Sequence, residues 1–84
     1  MNPFKLLAPD GRTIITGSHL ACLRLLSELE LWDTPITSEI KGTVWPLYGW
    51  FMAFRIKRLN LLNAGGVEKI TMNRGVTYTI EKNF

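Results

Sequence analysis

FRIKRLNLLNAGGVEKITMNRGVTY, residues 54–78, is the stretch on which the reading of this chain turns. Its first ten residues have helical periodicity with a basic side. A Gly65-Gly66 break follows, as expected where a helix ends in a left-handed cap. Two alternating β-prone runs, 67–72 and 76–80, are then joined by Asn73-Arg74-Gly75, the signature of a hairpin with an arginine at its tip. A basic helix beside a basic hairpin tip suits a polyanion.

Upstream, residues 4–7 and 12–15 are short β-prone runs around Ala8-Pro9-Asp10-Gly11, a turn sequence, and predict a second hairpin. Thr16-Gly17-Ser18 offers an N-cap. Leu20, Cys22, Leu23, Leu25, Leu26 and Leu29 then recur at three- and four-residue spacing, predicting a first helix that ends near Glu30 or Leu31. Thr37-Ser38-Glu39 is a second cap candidate, and Ile40, Val44 and Trp45 follow at helical spacing, predicting a short second helix stopped by Pro46. The third helix is expected to begin between Leu47 and Phe51 and to reach about Asn63. Its apolar stripe is Met52, Ile56 and Leu59, and its polar side is Arg55, Lys57, Arg58 and Asn60. The expected order is ββ-α-α-α-ββ in a single domain spanning residues 1–84.

Composition narrows the function classes. The chain has 84 residues, 46% of them hydrophobic, which is enough for a core without metal or disulfides. Cys22 is the single cysteine, and no Cys/His cluster is present, so no zinc site, other metal or cofactor is expected. No apolar run approaches the roughly 20 residues that span a bilayer. The start lacks the pattern of a signal peptide. A cytoplasmic protein with no membrane partner is the resulting expectation. Net charge is +3, unevenly spread. Residues 1–40 hold three Lys/Arg against five Asp/Glu, and residues 41–84 hold seven against two. No carboxylate pair, nucleophile motif or phosphate loop is visible, and His19 sits at a helix start, so the chain is not read as an enzyme.

Several pieces together resemble the winged helix-turn-helix effector domain of OmpR/PhoB-type response regulators, over about residues 15–80. Ile15-Thr16 with Leu20, Leu23 and Leu26 is similar to that family's first-helix cap and helix. Val44-Trp45 is similar to the pair closing its second helix, and Arg55-Ile56-Lys57-Arg58-Leu59 to the core of its recognition helix. Ile70 to Tyr78, ITMNRGVTY, resembles its wing. His19 and Thr77 depart from the family pattern, and the segment between Trp45 and Arg55 is shorter. No receiver domain precedes the motif within this chain.

The resemblance implies an α+β winged helix-turn-helix with an N-terminal β hairpin, three helices and a C-terminal hairpin wing. It also implies sequence-specific binding of double-stranded DNA by a small transcriptional regulator, a repressor or architectural factor, and the minimal size of the chain suits a phage or mobile element. In that arrangement Arg55, Lys57, Arg58 and Asn60 meet the major groove. Asn73 and Arg74 reach the adjacent backbone or minor groove, and Thr37, Ser38 and Lys41 anchor phosphate. A module this small makes few contacts, so a homodimer is expected. Tyr48 and Trp50 lie near the expected DNA side, where they either touch DNA or form a patch for a protein partner. The second reading is therefore a protein-interaction module, such as an anti-repressor or an inhibitor of a host regulator.

Overall fold

Three tight turns fold the chain into hairpins. In the computed structural model, which describes residues 3–84, β1 (Phe4–Leu7) and β2 (Thr13–Gly17) pair antiparallel around Pro9-Asp10-Gly11. The turn is closed by Ala8 N–H donating to Arg12 O at 2.8 Å and Gly11 N–H to Ala8 O at 2.9 Å. β5 (Glu68–Met72) and β6 (Thr77–Lys82) pair around Asn73-Arg74-Gly75 with the same two bonds, Met72 N–H to Val76 O and Gly75 N–H to Met72 O. Both hairpins agree with the sequence-based expectation.

The third hairpin does not. Where a second helix was expected, β3 (Pro35–Ile40) and β4 (Thr43–Pro46) pair antiparallel, with Ile40 opposite Thr43 and Ser38 opposite Trp45. The two intervening residues, Lys41 and Gly42, have φ of 52° and 82°. Two consecutive positive φ values make the mirror-image turn whose twist matches paired strands, and glycine supplies one of them without steric cost. Ile36, Thr37, Ile40, Thr43 and Val44 are β-branched, which favours the strand over a helix broken by Gly42.

Two helices remain. α1 (His19–Leu29) is capped by Ser18, whose Oγ accepts from Ala21 N–H at 3.0 Å, and it buries Cys22, Leu23 and Leu26. α2 (Arg55–Asn63) is shorter than the expected third helix and starts from Phe54 in a left-handed conformation with no side-chain cap. The winged helix-turn-helix with three helices is therefore corrected. The fold is a six-stranded antiparallel sheet, ordered β2-β1-β6-β5-β3-β4, with two helices. The C-terminal hairpin is no projecting wing, since β6 and β5 are the central strands.

One sheet face carries the core. Phe4, Leu6, Ile40, Ile70, Met72, Tyr78 and Ile80 from the strands meet Cys22, Leu23 and Leu26 of α1 and Leu62 of α2, with Leu47, Phe51 and Ala53 from the preceding loop. The other face is polar. Lys5 stands opposite Glu81, Glu39 opposite Lys69, and Thr71 between Thr37 and Thr77. An antiparallel sheet tolerates this division because one face can remain wet.

Candidate functional site

The basic residues expected on one outer face are dispersed. Ile56 was assigned to docking α2 and Arg58 to the outside, yet Ile56 is exposed while Arg58 is completely buried beside Leu62. Residues 56 and 58 differ by about 200° around a helix, and Leu59 and Leu62 still pack on the core, so the helix is turned part of the way round, with Arg58 inward and Ile56 outward. The cause is Glu68. It shares the core-facing alternation of β5 with Ile70 and Met72, and a buried carboxylate requires a partner.

Arg58 Nε donates to Glu68 Oε2 at 2.6 Å, and Ser38 Oγ donates to the same oxygen at 2.5 Å. His19 Nε2 lies 2.8 Å from Glu68 Oε1. Arg58 Nη1 donates to Phe51 O at 2.5 Å and Ala53 O at 2.8 Å, which fastens the loop before α2 from beneath. Burial alone would raise the Glu68 pKa. The hydrogen bond from His19, the charges of Arg58 and His19 and the Ser38 hydroxyl outweigh it and hold the carboxyl below its ordinary value. Serine, histidine and glutamate together suggest acyl-transfer chemistry. Here serine and histidine both bond to the carboxylate, and all three are sealed from solvent. The cluster holds the fold. Burial, with the Glu68 charge, pushes the Cys22 thiol up to about 11, so it too is inert at neutral pH.

Of the other expected contacts, Lys57 and Asn60 are exposed on α2, and Arg55 is half-buried. Lys41 Nζ donates to Ala64 O at 3.0 Å, a cation at the carbonyl end of α2. Thr37 is on the polar sheet face, while Ser38 is buried against Glu68. Asn73 is exposed at its hairpin tip.

Arg74, next along that tip, turns back onto acids. Its Nη2 donates to Glu30 Oε1 at 2.8 Å and Oε2 at 3.0 Å. Its Nε is 3.4 Å from Asp33 Oδ2, which also accepts from the Arg74 backbone N–H at 3.2 Å. Tyr78 donates its hydroxyl to Glu30 Oε1 at 2.5 Å. Burial, the bond to Glu30 and that carboxylate's charge push the Tyr78 pKa up to about 12.

Tyr48 and Trp50 occupy the segment between β4 and α2 and are exposed at 85% and 64%. The chain reverses at Tyr48 and Gly49, with φ of 53° and 83°, and Trp50 N–H closes the turn on Leu47 O at 2.9 Å. A left-handed tyrosine and, six residues on, a left-handed Phe54 are conformations held by their surroundings. The surroundings are visible in five bonds: Leu47 N–H to Ile36 O, Gly49 N–H to Pro35 O, Asn73 N–H to Thr34 O, and the two of the Arg58 fork below. Two grooves adjoin at Gly49. One, of about 350 Å³, has Leu31, Trp50, Phe51 and Met52 with Glu30 and Asp33. The other, of about 340 Å³, has Ile36, Pro46 and Tyr48.

Sequence reasoning found Tyr48 and Trp50 but missed Leu31, Ile36, Glu30 and Asp33. The available signal was an apolar Leu31-Trp32 pair directly after the helix, with Trp32 98% exposed and Leu31 73%. Among the described residues no group of three or more His, Cys, Asp and Glu side chains is placed to hold a metal, and no helix is long and apolar enough to cross a membrane. In comparisons with known proteins, no family model, no curated protein and no solved structure matches this chain.

Proposed function

We propose that this chain is a protein-binding module whose contact surface is the end of the molecule bearing Leu31, Ile36, Tyr48 and Trp50. The observation that carries the reading is two adjoining grooves bordered by exposed aromatic and aliphatic side chains on a hydrogen-bonded frame. Tyrosine and tryptophan dominate binding energy at interfaces because they bury a large area at low conformational cost. Single exposed apolar residues are ordinary on a protein surface, whereas a grouped set bordering grooves marks a contact site.

Double-stranded DNA is the second reading, favoured by the exposed Lys57 and Asn60 of α2 and the seven Lys/Arg of residues 41–84. Arg58 takes no part in it, being committed to Glu68.

Selection of a displayed random-peptide library on the full chain, beside the same selection on Tyr48→Ser/Trp50→Ala, tests the proposal. Enrichment on the wild type that the double variant loses is expected. The absence of enrichment, together with a random-sequence duplex that binds with a steep salt slope, would overturn it in favour of DNA.

A further inference from the structure

The groove between Leu31 and Trp50 has a composition that selects among protein partners. Leu31, Trp50, Phe51 and Met52 make it apolar, and Glu30 and Asp33 supply its charge. The side chains of Glu30 and Asp33 are 6% and 5% exposed, and Arg74 is the cation both pair with. Two carboxylates against one guanidinium leave one negative charge uncompensated. The segments lining the groove add no cation: residues 25–40 hold four acids and no Lys or Arg, and residues 46–54 hold no Asp, Glu, Lys or Arg. Arg12 borders the neighbouring pocket with Leu29 and Tyr78 and, among the described residues, makes no ion pair with either acid. Tyr78 brings a neutral hydroxyl.

Acceptor capacity remains as well. Among the described residues, Glu30 Oε2 accepts one bond, from Arg74, and Asp33 Oδ1 accepts one, from Thr34 N–H at 2.9 Å. A carboxylate oxygen has room for a second. An apolar occupant would remove water from this charge and replace it with nothing. An anionic occupant would be repelled. A side chain with an alkyl stem and a cationic head satisfies both parts of the groove, and an exposed indole offers the cation a favourable ring face.

We infer that the groove takes an arginine or lysine side chain of a partner protein, so that the partner presents a basic residue to this end of the fold. This rests on reading the surface as protein-binding, and it adds the chemistry of the partner.

The test is a two-dimensional NMR titration of the full chain with N-acetyl-arginine methylamide, beside N-acetyl-norleucine methylamide. The arginine probe should shift the Trp50 indole N–H and the Leu31 and Asp33 amides toward saturation, and the norleucine probe should shift them far less. Asp33→Asn should weaken the arginine probe and Arg74→Ala should tighten it, each by about two- to five-fold, the scale of a single partly exposed charge. A purely structural role for the cluster would lower affinity in both variants. Retained dispersion of the amide spectrum shows that each variant folds.

Equal shifts from both probes would overturn the cationic assignment and leave the protein-binding surface standing. So would an unresponsive Trp50 in a chain that enriches library peptides. Failure of both the probes and the library would remove both readings. Trp50 shifts on raising the chain's own concentration would give the groove to a second copy and overturn the basic-partner proposal.

Discussion

Two arginines that look alike in the sequence end in opposite circumstances. Arg58 is sealed under α2, its charge met by Glu68 and its Nη1 by backbone carbonyls of the aromatic loop, while its Nη2 has no partner among the described residues. Arg74 is 59% exposed and lies against two carboxylates at the edge of a groove. The first cluster pairs one carboxylate with one guanidinium, with a serine and a histidine on the carboxylate's other valences. The second has a carboxylate in excess. A balanced polar cluster in the interior fixes a fold, and an unbalanced one at a surface leaves something for a partner to complete. The two are connected, because Arg58 holds the loop that carries Trp50.

The largest expected effect breaks the comparison at its buried end. Arg58→Met leaves Glu68 without its guanidinium and should cost about 3–5 kcal/mol in urea unfolding. The double change Arg58→Met/Glu68→Leu should recover much of that loss, because the stranded charge is gone. A cost near zero for Arg58→Met would place the arginine outside the core.

Acid sharpens the same end. The folded pKa of Glu68 lies below its ordinary 4.5, so its contribution is complete above that value and is lost as pH falls through the lower, folded value. Melting temperature should fall through that window in the wild type, and Glu68→Gln, already destabilised, should show a flatter profile. Tyr78 gives the opposite slope. Its pKa rises from 10.0 to about 12 on folding, so its contribution is complete below 10 and is lost as pH climbs toward 12. Tyr78→Phe should flatten the alkaline side of the curve.

Smaller effects belong to the surface cluster. Arg74→Ala should cost less than Arg58→Met, about 1–3 kcal/mol, because the guanidinium is exposed while the carboxylates it leaves are nearly buried. Trp50→Ala should change stability by about 0.5 kcal/mol or less, as exposed substitutions do, while abolishing peptide enrichment. A large stability loss for Trp50→Ala with binding intact would reverse the roles assigned to the two clusters.

The first and last hairpins along the chain were legible because their turns announce themselves: Pro9-Asp10-Gly11 and Asn73-Arg74-Gly75 each suit one turn geometry. The middle hairpin along the chain, β3–β4 at the sheet edge, was missed because Thr37-Ser38-Glu39 is also a good helix cap, and Ile40, Val44 and Trp45 fit helical spacing as readily as strands. Lys41-Gly42 held the deciding information, since glycine after a short β-branched run favours a two-residue turn. The rotation of α2 was hidden for a different reason. Arg58 was assigned outward because it is charged, and that assignment fails when a carboxylate waits in the core. Glu68, two residues before Ile70 on the same alternation, was the visible warning. Tyr48 and Trp50 were recognised as candidates, but the rest of their surface comes from Leu31 and Ile36, more than ten residues earlier in the chain. No local pattern joins those segments; the Gly49 N–H to Pro35 O bond does.

The most direct test of the account is a chemical-shift map of the full chain with a peptide drawn from the library selection. The account predicts that the largest changes fall on Leu31, Asp33, Tyr48 and the Trp50 indole, with Lys57 and Asn60 unmoved. Changes centred on residues 55–60 of α2, with Leu31 and Trp50 unmoved, would contradict it.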